Sequence, residues 1–265
     1  MTLSAGPSAF SNHTHKKPMK QTPIIHLAVR ELRTALTGLS KVLARKPTLP
    51  ALACIRFEAD RSGTVALTGT DLDSWFTLQL PADVKGGSHS PFLVPLADLK
   101  DAIKGCKAND LLTLEPKGDE HVNLTKVAGT GAVTHSVATW PVSDYPDLPK
   151  IKATPFNLDT RARDALLQAL ACSSKDPTRQ VLNGACIDGG NTLVGTDGRH
   201  LYRCNSLDLP HKNPVILAHP KVLDWKPLTN SDTWSLAIES PWFQLAGDTW
   251  QLTGKLVEGN YPNWR

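Results

Sequence analysis

The feature that most constrains this chain is a pattern written twice. Residues 181–204 read as an apolar strand, the turn Asp188-Gly189-Gly190, a short strand from Thr192, then Thr196-Asp197-Gly198-Arg199-His200. Asp-Gly-Gly supplies the positive φ that a tight hairpin needs, and Asp-Gly sets a second turn. Residues 48–80 repeat the order: an apolar strand, Asp60-Arg61-Ser62-Gly63, a short strand, Gly69-Thr70-Asp71, and a further strand. Asp71 and Asp197 lie 126 residues apart, and Tyr145-Pro146 and Tyr261-Pro262 lie 116 apart. A period of that length means duplicated domains, not a solenoid of small repeats.

Within each copy the sequence predicts two half-units, each a strand, a helix and three antiparallel strands. Leu32, Leu36, Leu39 and Leu43 mark one helical face, and Leu96, Leu99 and Ile103 a second. Ala165, Leu166, Ala169 and Leu170 mark a third, with Asp159 or Thr160 as N-cap, and a fourth helix is expected near residues 220–225. The expected organisation is α+β: a basic tail at residues 1–22, a first domain at 23–149 and a second at 150–265. The tail is rich in Ser, Thr, His, Lys and Pro, too polar to join a core. Sheets built this way leave open edges, so the two domains are expected to join edge to edge in one curved sheet.

At 265 residues and 40% apolar content the chain buries sizeable cores. Its five cysteines are scattered and form no C-x-x-C pair, which reads as reduced thiols. No stretch approaches the length of a membrane span or a signal peptide core, so a cytoplasmic protein without a membrane partner is expected. The formal charge is only +4, yet residues 30–46, 95–107, 160–179 and 219–226, the helical windows, together hold an excess of eight positive charges. Helices on one side would then offer a polyanion a sequence-blind, salt-sensitive surface, or simply a solvated face. Asp71, Asp73 and Asp197, with His200 nearby, are the candidate carboxylates of a metal-assisted enzyme. Each follows a strand and precedes a turn, where Asp serves backbone hydrogen bonding alone, and no H-E-x-x-H, G-x-S-x-G or Walker glycine loop accompanies them.

Four ordered motifs carry a resemblance. Lys46-Pro47-Thr48-Leu49-Pro50 with Gly69-Thr70-Asp71-Leu72, Leu182-Asn183-Gly184 with Thr196-Asp197-Gly198, the run 144–149 (DYPDLP) and the run 255–262 (KLVEGNYP) resemble the bacterial DNA polymerase III beta subunit family, the sliding clamps. The resemblance runs from Ile24 to Arg265 and matches the first two of that family's three domains, the third having no counterpart here. It implies the DNA clamp fold, with sheets outside and helices lining the DNA side. It also implies a homo-oligomeric ring around double-stranded DNA that tethers a polymerase without catalysis, cofactor or metal. Lys46, Arg45, Lys175, Arg179 and Gln180 match DNA-contact positions, although Gln180 and Val181 stand where the family often has aromatics. Leu182, Thr196, Gly198, Arg199, His200, Leu201 and Pro262 match the cleft that takes short peptides of the DNA polymerase and clamp loader. The usual His-Arg-Leu order reads Arg199-His200-Leu201 here, which exchanges the two basic side chains between strand faces. The alternative reading is a clamp-like interaction module that does not encircle DNA.

Overall fold

The computed structural model describes residues 23–44, 46–60, 62–86, 90–128, 131–209 and 211–265. The expected tail, residues 1–22, and Arg45 lie outside the described residues. The fold is α+β, with 17 strands, every paired strand antiparallel, and four α-helices among the described residues.

Four half-units follow one another. The first holds β1 (Ile24–Ala28), α1 (Val29–Leu39), β2 (Cys54–Ala59), β3 (Thr64–Thr70) and β4 (Ser74–Pro81), with short β5 (Asp83–Lys85) after it. The second holds β6 (Phe92–Pro95), α2 (Leu96–Ala102), β7 (Leu111–Lys117), β8 (His121–Ala128) and β9 (Gly131–Ala138). In the third stand β10 (Phe156–Leu158), α3 (Thr160–Ala171), β11 (Gly184–Asp188), β12 (Thr192–Thr196) and β13 (Leu201–Cys204). β14 (Val215–Ala218), α4 (Lys226–Thr229), β15 (Trp234–Glu239), β16 (Trp242–Ala246) and β17 (Trp250–Val257) form the fourth.

Pairing repeats with the same logic in both copies. β1 pairs β7 as β10 pairs β15, and β2 pairs β6 as β11 pairs β14. The copies join through β4 and β17, where Phe76 lies opposite Leu252 and Leu78 opposite Trp250. One sheet therefore runs β13-β12-β11-β14-β17-β4-β3-β2-β6 through both copies, beside a five-stranded sheet β5-β1-β7-β8-β9. The edge-to-edge joint expected from the repeat is thus a continuous ladder, sealed by Trp75 on Trp242 and Phe76 on Trp225, both edge to face.

α1 buries Val29, Leu32, Ala35, Leu36 and Leu39, the stripe its leucine spacing predicts. It ends at Leu39, before the prolines, and Leu43 stays buried from the turn that follows. α3 starts at Asp159, whose carboxylate accepts the Ala162 N–H at 2.7 Å, so Asp159 and not Thr160 is the cap. The fourth helix differs from expectation: residues 221–224 form a 3-10 turn and α4 begins at Lys226. Pro227 explains the offset, because a proline fits the first turn of a helix but not its interior. Val181 and Leu182, expected to open the strand, also stand in a 3-10 turn, Gln180–Leu182, and β11 starts at Gly184.

The charge expectation needs the same adjustment. α1 and α3 each carry two basic residues and one acid, α2 one lysine and two aspartates, and α4 one lysine. Most of the positive excess therefore stands in the segments after the helices, around Lys41, Lys46, Lys104, Lys107 and Lys175, because the helices stop earlier than the windows assumed. Among the described residues no helix is long and apolar enough to cross a membrane. All five cysteines are free, with Cys54 and Cys186 buried.

Candidate functional site

Two equivalent segments hold the expected DNA contacts. Lys46 is exposed on the segment from α1 to β2, and Lys175, Arg179 and Gln180 are exposed on the matching segment from α3 to β11. Asp176 shapes the second segment by accepting the Thr178 N–H at 2.9 Å and hydroxyl at 2.8 Å. Those bonds, the backbone one first, hold its carboxyl below the usual carboxylate range. Arg179 is not a free cation: its Nη1 donates to the Asp197 carbonyl at 3.1 Å, and its Nε stands 3.9 Å from Asp176. Gln180 lines a cavity of ≈ 520 Å³ at the joint, shared with Asp71, Asp73, Asn183, His219 and Glu258. Lys255 lines the same cavity beside these three carboxylates.

The expected peptide site is a hydrogen-bonded knot at the end of the β12–β13 hairpin. Thr196 Oγ1 donates to the His200 carbonyl at 2.5 Å and accepts the Gly198 N–H at 3.0 Å. Asp197 Oδ1 accepts the N–H groups of Arg199 at 2.8 Å and His200 at 2.7 Å, and His200 Nδ1 lies 3.1 Å from its second oxygen. These bonds, led by the His200 and Arg199 amides, hold the Asp197 carboxyl well below the usual range. Gly198 takes φ +88°, and a Cβ there would stand 3.0 Å from Arg179 Nη1 and 4.0 Å from Leu182. Leu182 is buried, Leu201 is 51% exposed, and Arg199 and His200 point into solvent. Leu182, Thr196, Gly198, Arg199, His200 and Leu201 thus form one cluster, and Arg179, assigned to DNA, belongs to it.

Pro262 enters from a different direction. It lines a cavity of ≈ 800 Å³ with Cys186, Asp188, Leu256, Tyr261 and Trp264, whose walls do not include Leu182 or Leu201. The link to the knot is its neighbour Tyr261, whose hydroxyl lies by the Thr196 backbone, Cys186 and Cys172 and makes no hydrogen bond. Burial pushes that phenol up to about 12. Burial, with Asp188 adding to it, pushes the Cys186 thiol up to about 12 as well, so it stays protonated and is no nucleophile at neutral pH.

Sequence reasoning gave no contact for Val181, on which the Gly259 backbone packs, or for Arg265, which donates to Asp188 at 2.6 Å. It also missed Trp264, flanked by the guanidinium groups of Arg203 and Arg265 at 4.8 and 4.6 Å. An aromatic between polar residues after Tyr-Pro was the available signal.

Two of the candidate metal carboxylates, Asp71 and Asp197, serve the backbone. Asp71 Oδ1 accepts the Ser74 N–H at 2.8 Å and hydroxyl at 2.9 Å, repeating the Asp197 arrangement. Among the described residues no three His, Cys, Asp or Glu side chains are grouped to hold a metal ion.

Comparisons with known proteins follow this geometry. Residues 25–149 match the DNA polymerase III beta subunit, N-terminal domain. The chain is 28% identical over 178 residues to the beta sliding clamp of Synechocystis sp., covering 64% of this chain and 45% of that protein. It is 27% identical over 168 residues to the beta sliding clamp of Micrococcus luteus, covering 62% of this chain and 50% of that one. The chain thus matches about half the length of these curated relatives. In fold it superposes on the sliding clamp of Pseudomonas aeruginosa bound to griselimycin with a TM-score of 0.76 at 19% identity, over 92% of this chain and 67% of that chain. Duplicated half-units, a sheet continuous through β4 and β17, and these matches together show that residues 25–149 carry the N-terminal domain of the DNA polymerase III beta subunit family and that the chain has the fold of the bacterial sliding clamps.

Proposed function

We propose that the chain supplies two clamp domains, residues 23–149 and 150–265, of a non-catalytic cytoplasmic ring. The ring encircles duplex DNA and holds a replicative polymerase on it. The observation that carries this reading is the joint: one ladder through β4 and β17 makes a continuous sheet, while the exposed basic segments follow the equivalent helices α1 and α3. A ring cannot leave DNA sideways, and phosphate contacts that ignore sequence let it slide. A polymerase peptide docked on it stays at high effective concentration near the primer end. Lys46, Lys175 and Arg179 are the proposed phosphate contacts among the described residues. Leu182, Thr196, Gly198, Arg199, His200, Leu201 and Pro262 are the proposed dock for polymerase and loader peptides.

Retention on DNA tests the reading. Protein assembled on a nicked circular plasmid is expected to co-elute with it at a salt concentration that strips electrostatic binders, and to be lost when the plasmid is linearised. Equal loss from circular and linear DNA would refute encirclement. For the dock, Leu201→Asp changes an exposed side chain and is expected to weaken an apolar polymerase-derived peptide without altering the fold. Unchanged peptide affinity would remove the knot as the site.

Two observations favour the second reading, a module that binds partners without encircling DNA. Arg179 is tied to Asp197 and Asp176, and Gln180 shares a cavity with Asp71 and Asp73. Replacing Lys46 and Lys175 with alanine separates the two: encirclement predicts weaker, less salt-dependent DNA binding, and the module predicts no change.

A further inference from the structure

The duplication supplies its own control for one surface of the first copy. Leu111 on β7 stands opposite Val127 on β8, and the two are 46% and 44% exposed. Ala28 on β1 and Ala132 on β9 extend the row to either side. Leu27 faces Leu112 as Leu158 faces Trp234, so Leu111 and Val127 correspond to Thr233 and Asp248 in the second copy. There the Thr233 hydroxyl donates to the Asp248 carboxylate at 2.6 Å. The fold accepts a self-satisfied polar pair at these positions, so it does not require the exposed apolar pair of the first copy, and such a pair marks a contact.

The pair floors one end of a groove of ≈ 1030 Å³ on the outer face of the five-stranded sheet, opposite the buried face of Leu112 and Leu114. The polar groups around it are already matched. Arg30 pairs Glu31 at 2.9 Å, Lys85 pairs Asp83 at 3.5 Å, and Asp110 accepts the Lys107 N–H at 2.7 Å. His26 is held by Thr113 at 2.8 Å. The side chains left to water are the apolar ones.

We propose that residues 16–23 of this chain cover the groove, with Met19 seated on Leu111 and Val127. Residues 1–22 lead into β1 at Ile24, which pairs Lys85, and Lys85 lines the groove, so the segment enters at its rim. Ala28, opposite Leu111, lies four residues beyond Ile24, about 13 Å of strand, and Met19 lies five residues before it, about 17 Å. A reversal at Thr22-Pro23 therefore returns Met19 to the row, and proline suits such a turn. Leu3 and Phe10 hang on longer tethers. Methionine is also the side chain that adapts best to a shallow, irregular apolar floor.

The docking carries Lys16, Lys17 and Lys20 onto the outer face of the sheet. It goes beyond the ring reading and rests on it in one respect: in that reading the helix side faces DNA, so these three lysines are not DNA contacts.

The chain has two methionines, so isotope labelling of their methyl groups gives two resonances, and Met19→Leu assigns them. In the full chain the Met19 methyl is expected away from its unfolded position, with nuclear Overhauser contacts to Leu111 and Val127. Leu111→Thr with Val127→Asp imports the pair that the second copy carries. That double variant is expected to return the Met19 methyl to the unfolded position and to speed tryptic cleavage after Lys20 about tenfold. A Met19 methyl at the unfolded position in the unmodified chain, or one that the double variant does not move, would overturn the docking. So would Leu111 and Val127 signals that shift with protein concentration, the mark of a second copy in the groove. Circular dichroism checks that the double variant folds; where it does not, the Overhauser contacts of the unmodified chain decide. Lys16→Ala, Lys17→Ala and Lys20→Ala together are expected to leave DNA affinity unchanged, and a loss as large as that from replacing Lys46 and Lys175 would overturn the placement. If the unmodified chain binds no DNA, the ring reading fails and the methyl contacts still decide the docking.

Discussion

Gly38→Ala sets two known effects against each other at the joint between the copies. Gly38 is buried in α1, and a Cβ there would stand 2.8, 2.9 and 3.0 Å from three atoms of the Trp225 ring, which belongs to the fourth half-unit. In an unencumbered helix, glycine to alanine gains about 1 kcal/mol. Here the ring cannot retreat freely, because Trp225 is 7% exposed and meets Phe76 edge to face at 6.1 Å. Overpacking a fixed neighbour costs about 1–3 kcal/mol, so the balance is a net loss of about 1 kcal/mol. Trp225→Leu makes room, and in that background Gly38→Ala should recover its helix gain, a coupling of about 2 kcal/mol between residues distant in sequence. Urea unfolding followed by far-ultraviolet circular dichroism measures all four corners of the cycle. A stabilised Gly38→Ala that adds independently to Trp225→Leu would refute the claim that α1 and the fourth half-unit press on each other.

The other expectations concern the two knots and the helix beneath them. Leu72 holds φ +78° at the position equivalent to Gly198, a conformation that costs an L-residue about 1–2 kcal/mol, and its side chain is 42% exposed. After the greater unfolded-state freedom of glycine is subtracted, Leu72→Gly should stabilise the chain by about 0.5–1 kcal/mol, and a lower urea midpoint would contradict this. Gly195→Ala should destabilise by about 3 kcal/mol or more, since its Cβ would overlap the Ala169 carbonyl of α3; an unchanged thermal midpoint would show that the contact yields. Asp197 has a depressed folded pKa, so its contribution is present above the unfolded value of about 4 and is lost only as pH falls through the folded one. The Arg199 and His200 amide resonances should therefore hold their positions through pH 4 and move in stronger acid; a midpoint near 4 would show that the turn bonds do not persist in solution.

The repeat was legible because its chemistry is local. A Thr-Asp pair that closes a turn on itself shows in five consecutive residues, as do an N-cap at Asp159 and a leucine stripe on α1. What stayed hidden depends on partners far along the chain. Nothing around Arg179 announces that its guanidinium reaches the Asp197 carbonyl, and nothing around Pro262 announces that it lines a cavity with Cys186. Strand β5 was missed because its three residues carry no periodicity and are held by pairing with β1. The early end of α1 was missed because Leu43 keeps its burial after leaving the helix, so the apolar spacing outlasts the structure it reports.

The two knots show why a motif alone does not define a site. Thr70 donates to the Ser74 carbonyl at 2.7 Å and accepts the Leu72 N–H at 3.0 Å, as Thr196 does with His200 and Gly198. Asp71 and Asp197 each accept the N–H three residues on. These bonds belong to the fold, since both copies make them. The difference lies in what lies across the following strand: β4 is covered by β17, so Trp75 is buried, while among the described residues β13 pairs only β12 and Leu201 is exposed. The recognition surface proposed at Thr196 therefore differs from its copy at Thr70 in strand cover and not in the turn. Any partner that occupies the knot and any strand that pairs with β13 meet at Leu201.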